Sequence, residues 1–556
     1  MEENRSYLPG GRAASGAHEA LLMSALWALF LGAMVAAGAA GSIFAAAALG
    51  LGFVAAGIGL VRLSPGDTAF RRLVVLLVGM SLLRVFVSAS GTVDLSGDEA
   101  FYWEWSRRLD LSYYSKPPGV AYAIRLGTAV FGDTALGVRA PAAALLFASG
   151  LLMYKLGSQL HSRKAGAWAA AVMQITPLFA AYGIGMTPDT LLIFFWVLAL
   201  VVFQRARSTG KPASWLVLGA ALGLGLLGKL AVLFFYIPAV IVLLGTSEGR
   251  RHLRSPWPYA AFAVSFIFLT PQFIWNARHD WVYLRHEAVH ANVAGGLAVS
   301  LENLKSLGQF VGSQLGVVTP ILLALMIYAL VRTARRDAFS FWFAAPILAG
   351  FVLKSIQGKV QANWALAGYV TGFTAFAAYY MAEFHALKAW VRTAVIAALA
   401  TAALITVAAH FPGLAAAAGV PAERDPAKKV RGWQELGRQV SRLDASMERP
   451  RFIFSNHYMT AAELAFYVDG HPTTYCVNLG RRMNQYDLWP GFYDFAGYNA
   501  LYVASGPMPQ RLAGRFERVV EEPIIVCDRR GREIRKFLAY RCYGFKGMTA
   551  AKPKTY

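Results

Sequence analysis

The chain has 556 residues, 56% of them hydrophobic and only 15% charged, with a mean hydropathy of +0.44. That balance excludes a soluble enzyme and a disordered chain, and its apolar runs reach the roughly 20 residues that cross a hydrocarbon core. The expectation is a polytopic membrane protein whose net charge of +22 favours anionic lipid headgroups as partners.

Apolar runs bounded by charges or by Pro/Gly clusters place spans near 20–40, 42–62, 70–90, 136–156, 164–182, 187–205, 214–229, 230–246, 257–276, 313–332, 339–354, 362–381 and 389–410, about thirteen in all. The Ala/Gly-rich stretch 20–62 also fits one helix plus an interfacial segment. Its first apolar run lacks a basic approach and leads straight into a second, so no cleaved signal peptide is expected.

Basic residues in short loops stay on the cytoplasmic side. With the N-terminus inside, the cytoplasmic connections hold Arg62, Arg71 and Arg72, then Lys155, Arg163 and Lys164, then Arg205, Arg207 and Lys211. Further on come Arg250, Arg251 and Arg254, then Arg332, Arg335 and Arg336, then Lys388 and Arg392. The opposite short connections carry only Lys229, Lys354 and Lys359. One span too many or too few would scramble this alternation. Loop 91–133, loop 277–312 and the tail after 411 therefore face outward.

Loop 91–133 opens with Ser96-Gly97-Asp98-Glu99, where acids suit a helix N-terminus and serve most simply as a cap. Phe101, Tyr102, Trp103, Trp105 and Leu109 then form the aromatic face of a short helix, expected to anchor in the headgroup layer. Tyr113-Tyr114-Ser115-Lys116-Pro117-Pro118 follows, and the two prolines hold the Lys116 ammonium on a stiff segment. A carboxylate that orients or deprotonates an acceptor, beside a cation that neutralises a phosphate leaving group, is what sugar transfer from a polyprenyl phosphate requires.

Asp189, in Met186-Thr187-Pro188-Asp189, stands at the outer mouth of a span and fits an N-cap equally well. Lys229 sits at a tight outward turn, where a charge is either functional or snorkels to the interface. Lys359, with Gln361, Asn363 and Trp364, makes a further polar cluster on that side. In loop 277–312, His286 and His290 are four residues apart and share one helical face, which makes them candidates for a divalent metal. Solvated or headgroup-binding histidines are the more ordinary reading, and no other cofactor is indicated.

The tail, 412–556, differs in composition. It holds 22 Lys and Arg against 14 Asp and Glu, and Arg451–Ser455 and Ile524–Cys527 read as strands around a helix at Thr460–Val468. A small α/β domain outside the membrane is expected, with domains at 1–411 and 412–556 and no role for nucleic acid. Cys476, Cys527 and Cys542 all lie here, allowing one disulfide with one thiol over.

An outward Asp-Glu after an early span, an interfacial helix, Lys-Pro-Pro, a multi-span body and a soluble tail containing Asn484-Gln485-Tyr486-Asp487-Leu488-Trp489 together resemble the integral-membrane GT-C glycosyltransferases. The likeness is greatest to the lipid A aminoarabinose and rhizobial galacturonic acid transferases, with protein O-mannosyltransferases more distant. It implies a polyprenyl-phosphate sugar donor, an outer-leaflet acceptor such as lipid A or another envelope glycolipid, and a bacterial inner-membrane location with site and tail facing the periplasm. It also implies catalytic roles for Asp98, Glu99 and Asp189 and donor-phosphate contacts from Lys116 and Lys229, while Tyr102, Tyr114 and Lys359 are further candidates for substrate contact. Two departures stand out: Ser115 replaces the glutamate that precedes the lysine in aminoarabinose enzymes, and two additional spans stand ahead of the first outward loop. The rival readings are a protein O-mannosyltransferase and a lipid or glycolipid transporter. Against transport, the sequence lacks matching Gly/Pro-broken spans in two halves.

Overall fold

A computed structural model describes residues 10–36, 42–290, 301–411, 413–414, 419–420, 426–527 and 533–551. Helices α1 (Gly10–Ala36), α2 (Ile43–Arg62) and α3 (Thr68–Ala89) come first, followed by α4 (Gly97–Ser106) and α5 (Gly119–Phe131) in the predicted outward loop. Then come α6 (Ala135–Leu160), α7 (Arg163–Ile175), α8 (Pro177–Ile184), α9 (Pro188–Thr209), α10 (Pro212–Gly228), α11 (Tyr236–Leu244) and α12 (Ser247–Leu253). The membrane part closes with α13 (Trp257–Ile267), α14 (Thr270–Arg278), α15 (Val282–His290), α16 (Leu301–Val318), α17 (Pro320–Thr333), α18 (Ala338–Ser355), α19 (Leu366–Phe376) and α20 (Ala389–His410).

Among the described residues, seven helices are long and apolar enough to cross a membrane alone, and four bent pairs bring the total to as many as eleven. The other two predicted spans fall on α10, a shorter apolar helix of 17 residues, and on α19, which continues into a π turn at Ala377–Met381. Residues 20–62 form two helices rather than one plus an interfacial segment. The bends have local causes. Pro177 starts α8 after a 70° turn and Pro320 starts α17 after a 98° turn, because proline can begin a helix but has no N–H to continue one. Every residue of α19 is buried, so it runs through the centre of the bundle.

The alternation of ends holds. At one end Lys164 donates to the Ala382 carbonyl at 3.0 Å, His161 lies 3.1 Å from Asp337, and His252 meets the Arg207 carbonyl at 2.8 Å. The connections predicted to face outward meet at the other end, around the cavity described below.

The tail is a five-stranded mixed sheet ordered β2-β1-β3-β5-β4, with β1 (Arg451–Ser455), β2 (Thr474–Cys476), β3 (Asn499–Ala504), β4 (Phe516–Cys527) and β5 (Glu533–Phe545). β1 pairs in parallel with β2 and β3, while β3–β5 and β4–β5 are antiparallel. Side chains alternate across β1: Ile453 packs with Leu464, Leu501 and Trp433 under the helices Trp433–Ala445 and Tyr458–Tyr467, whereas Phe452 and Phe454 join Phe492, Tyr502 and Phe545 on the other face. The expected strand Arg451–Ser455 is β1 and the expected helix Thr460–Val468 overlaps Tyr458–Tyr467, whereas Ile524–Cys527 is only the end of the longer β4. No disulfide forms: all three cysteines are free, and burial pushes the Cys476 thiol up to about 11 and the Cys542 thiol up to about 12.

The aromatic helix α4 is not a membrane anchor. Trp103 and Trp105 are fully buried in the protein, Phe101 packs on Tyr458 and Tyr486 of the tail, and Trp103 meets Phe466 edge-on at 4.9 Å. Only Leu109, past the helix end, is substantially exposed. The approach is so close that a Cβ on Gly97 would come within 2.5 Å of Met459 Cβ.

Beneath α4 lies a buried ionic knot. Arg139 of α6 forms a two-pronged pair with Glu99 at 2.8 and 2.9 Å and donates to the carbonyls of Val93 and Asp94 at 2.9 and 2.8 Å. The Asp94 carboxylate in turn accepts from the Trp433 amide at 2.7 Å, capping the first tail helix. Burial alone would raise the Glu99 carboxyl, but the Arg139 charge and hydrogen bonds, with help from Ser96, hold it below its ordinary range.

Glu99→Gln strips a buried charge from its partner and is expected to cost about 3–5 kcal/mol, read as a lower melting temperature and faster proteolysis between membrane body and tail in detergent. Unchanged stability would remove the knot from its structural role. Separately, thiol titration of the denatured chain without reductant should count three thiols, since all three cysteines are free; a count of one would reveal a disulfide.

Candidate active site between the membrane body and the tail

Ser96 caps α4 by accepting from the Glu99 amide at 3.3 Å, and the Glu99 carboxylate closes the capping box on the Ser96 amide at 3.0 Å. With the cap supplied, Asp98 is released from that duty and turns into a cavity of about 860 Å³. There its Oδ1 accepts from the Tyr458 hydroxyl at 3.2 Å. The carboxylate is exposed to the cavity yet ringed by protein: that surrounding mass raises its pKa above the ordinary value, while Tyr458 and Lys116 work the other way. Burial and the neighbouring Asp98 lift the Tyr458 phenol, keeping it a proton donor.

The Lys116 segment is fixed from both sides. The Tyr113 hydroxyl lies 3.0 Å from the carbonyls of Trp105 and Arg108, and the Tyr114 amide donates to Gln485 of the tail at 2.7 Å. Pro118 then starts α5, whose Gly119 abuts the end of α10 so closely that a Cβ would meet the Leu227 carbonyl at 2.6 Å. Lys116 Nζ reaches Glu287 of α15 at 3.2 Å. Opposite, the α8–α9 break and the α10 terminus unwind at the cavity wall, where Lys229 Nζ pairs with Asp189 Oδ1 at 2.7 Å. Irregular backbone at such depth is tolerated where it lines a cavity. Thr187, not Asp189, occupies the N-cap position of α9.

Asp98, Tyr102, Tyr114, Lys116, Asp189 and Lys229 thus line one cavity. Glu99 does not line it: its carboxylate is buried in the pair with Arg139. Lys359 is exposed and lies off the cavity wall, while its neighbours Gln361, Asn363 and Trp364 line it. The full segment His286-Glu287-Ala288-Val289-His290 has the His-Glu-x-x-His form, a stronger zinc pattern than the pair of histidines alone. Here Arg482 approaches His286 Nδ1 at 2.7 Å and occupies its lone pair, and Glu287 answers Lys116. The His290 side chain lies outside the described set, and no group of three metal-ligating side chains occurs among the described residues.

Sequence reasoning missed the carboxylate partners of both lysines and the tail's contribution of Tyr458, Arg481 and Arg482. The adjacent arginines before Asn484-Gln485-Tyr486-Asp487 were the available signal.

The chain shares its fold with a solved membrane-protein structure. Its structure superposes on that of ArnT from Cupriavidus metallidurans bound to undecaprenyl phosphate with a TM-score of 0.57 at 18% identity, covering 84% of this chain and 97% of that one. Residues 115–275 match the family model for dolichyl-phosphate-mannose-protein mannosyltransferases. A lipid A galacturonosyltransferase, RgtD of Rhizobium johnstonii, is 31% identical over 310 residues, which is 54% of this chain and 63% of that one. An undecaprenyl phosphate-alpha-4-amino-4-deoxy-L-arabinose arabinosyl transferase of Pseudomonas savastanoi pv. phaseolicola is 32% identical over 145 residues, 25% of this chain and 27% of that one. The two sequence matches therefore span less than two thirds of those relatives' lengths.

Proposed function

We propose that this protein is an integral-membrane glycosyltransferase that moves a sugar from a polyprenyl-phosphate donor to an outer-leaflet acceptor, lipid A or a similar envelope glycolipid. The observation that carries the reading is the convergence of Asp98, Lys116 and the Lys229–Asp189 pair on one cavity at the end of the bundle opposite the basic loops. The names of the relatives support the same donor and acceptor classes. By the positive-inside rule, this end faces the periplasm of a bacterial inner membrane.

The donor phosphate binds at Lys116 and Lys229, replacing the carboxylates that pair with them. An acceptor oxygen attacks the anomeric carbon from the side away from the phosphate. The new glycosidic C–O bond forms as the sugar–phosphate C–O bond breaks, its electron pair leaving with polyprenyl phosphate under the influence of the lysines. For a hydroxyl acceptor, Asp98 takes the proton; for a phosphate acceptor it orients the oxygen. A carboxyl already lifted above its ordinary value is better matched to proton transfer near neutrality.

Asp98→Asn and Lys116→Ala should each reduce transfer by roughly 10²–10⁴-fold with the protein still folded in the membrane; wild-type rates in both purified variants would defeat the assignment. The Tyr458 hydrogen bond favours the charged form of Asp98. Tyr458→Phe should therefore raise the carboxyl further and move the acidic limb of the activity profile to higher pH, and an unmoved limb would detach Asp98 from that ionisation.

A further inference from the structure

Four cations line the cavity, and three are matched by protein carboxylates: Lys116 by Glu287, Lys229 by Asp189, and Arg481 by Asp487. Arg481 is spent on structure. It grips Asp487 with both terminal nitrogens at 2.8 and 3.1 Å and donates to the carbonyls of Cys476, Val477 and Arg482. Arg482, the next residue, has no carboxylate within ion-pair distance among the described residues. Its guanidinium meets the His286 ring at 2.7 Å, and the Tyr114 hydroxyl lies beside it.

Arg482 is exposed, but to the cavity it lines, where its guanidinium lies against the His286 ring and near the Asp98–Tyr458 pair. A planar guanidinium so placed offers a fork of donors matched to an oxyanion. The two lysines already serve the donor phosphate.

We infer that Arg482 is a specificity-determining residue that binds a second oxyanion of the substrates, distinct from the donor phosphate. The inference rests on the glycosyltransferase reading above. The oxyanion is either a carboxylate on the transferred sugar or a phosphate on the acceptor, and each can present a pair of anionic oxygens to the fork of the guanidinium. Because Arg482 belongs to the tail, the sheet domain would select the substrate for chemistry performed by residues of the membrane body.

The test uses the full-length protein in detergent with lipid, comparing wild type, Arg482→Gln and Arg482→Lys. Donors are undecaprenyl phosphate galacturonate and undecaprenyl phosphate galactose; acceptors are lipid A with and without its phosphates. Melting temperature serves as the folding control. Arg482→Gln should raise KM roughly tenfold or more for the substrate that bears the oxyanion while kcat changes little, with Arg482→Lys in between. A rise confined to the galacturonate donor places the contact on the sugar, and one confined to phosphorylated lipid A places it on the acceptor. Unchanged KM for every pair, with wild type active, overturns the inference alone. Wild type inactive with every pair overturns the glycosyltransferase reading and the inference with it.

Discussion

Arg139 is buried, and its guanidinium must find its partners inside the protein. It does so by holding Glu99 and the Val93 and Asp94 carbonyls, and Asp94 passes the constraint on by capping the helix at Trp433. Four separate pieces of chain, a membrane helix, the approach to α4, α4 itself and the tail, are locked in one arrangement. The rest of the site inherits its geometry from that lock. Removing either charge leaves the other stranded, which is why the pair constrains the fold more than it adds to stability.

The consequence for chemistry is a division of labour between adjacent acids. Glu99 closes the capping box and faces Arg139; Asp98, one residue earlier and so about 100° around the helix, faces the cavity. The same turn of helix that buries one carboxylate presents the other. The aromatic side chains that follow fill the seam between α4 and the tail, giving the cavity one wall from each domain.

Much of this architecture was legible in the sequence because it follows from local pattern. Apolar runs and basic loops locate the bundle and its two ends, and the short aromatic and β-branched run in Arg451–Ser455 reads as the strand it forms. Asp98 and Lys116 were visible because both lie in one short outward loop. What escaped detection depends on contacts between distant segments: Lys116 meets Glu287 across 171 residues, and Tyr114 meets Gln485 across 371. The aromatic face of α4 was misread for a physical reason. Phe, Tyr and Trp suit a headgroup layer and a domain interface equally well, and only the position of the tail decides between them. The Arg139 partner of Glu99 was not legible, because the capping signal carried by Ser96 says nothing of a residue 40 positions away.

The reading stands or falls on where a polyprenyl phosphate binds. Cryo-electron microscopy of the purified protein with undecaprenyl phosphate tests this most directly. The account predicts phosphate density within hydrogen-bonding reach of Lys116 and Lys229, with Glu287 or Asp189 displaced from its lysine and Asp98 left facing the acceptor side. Density for the headgroup outside this cavity, with both lysine–carboxylate pairs intact, would contradict it.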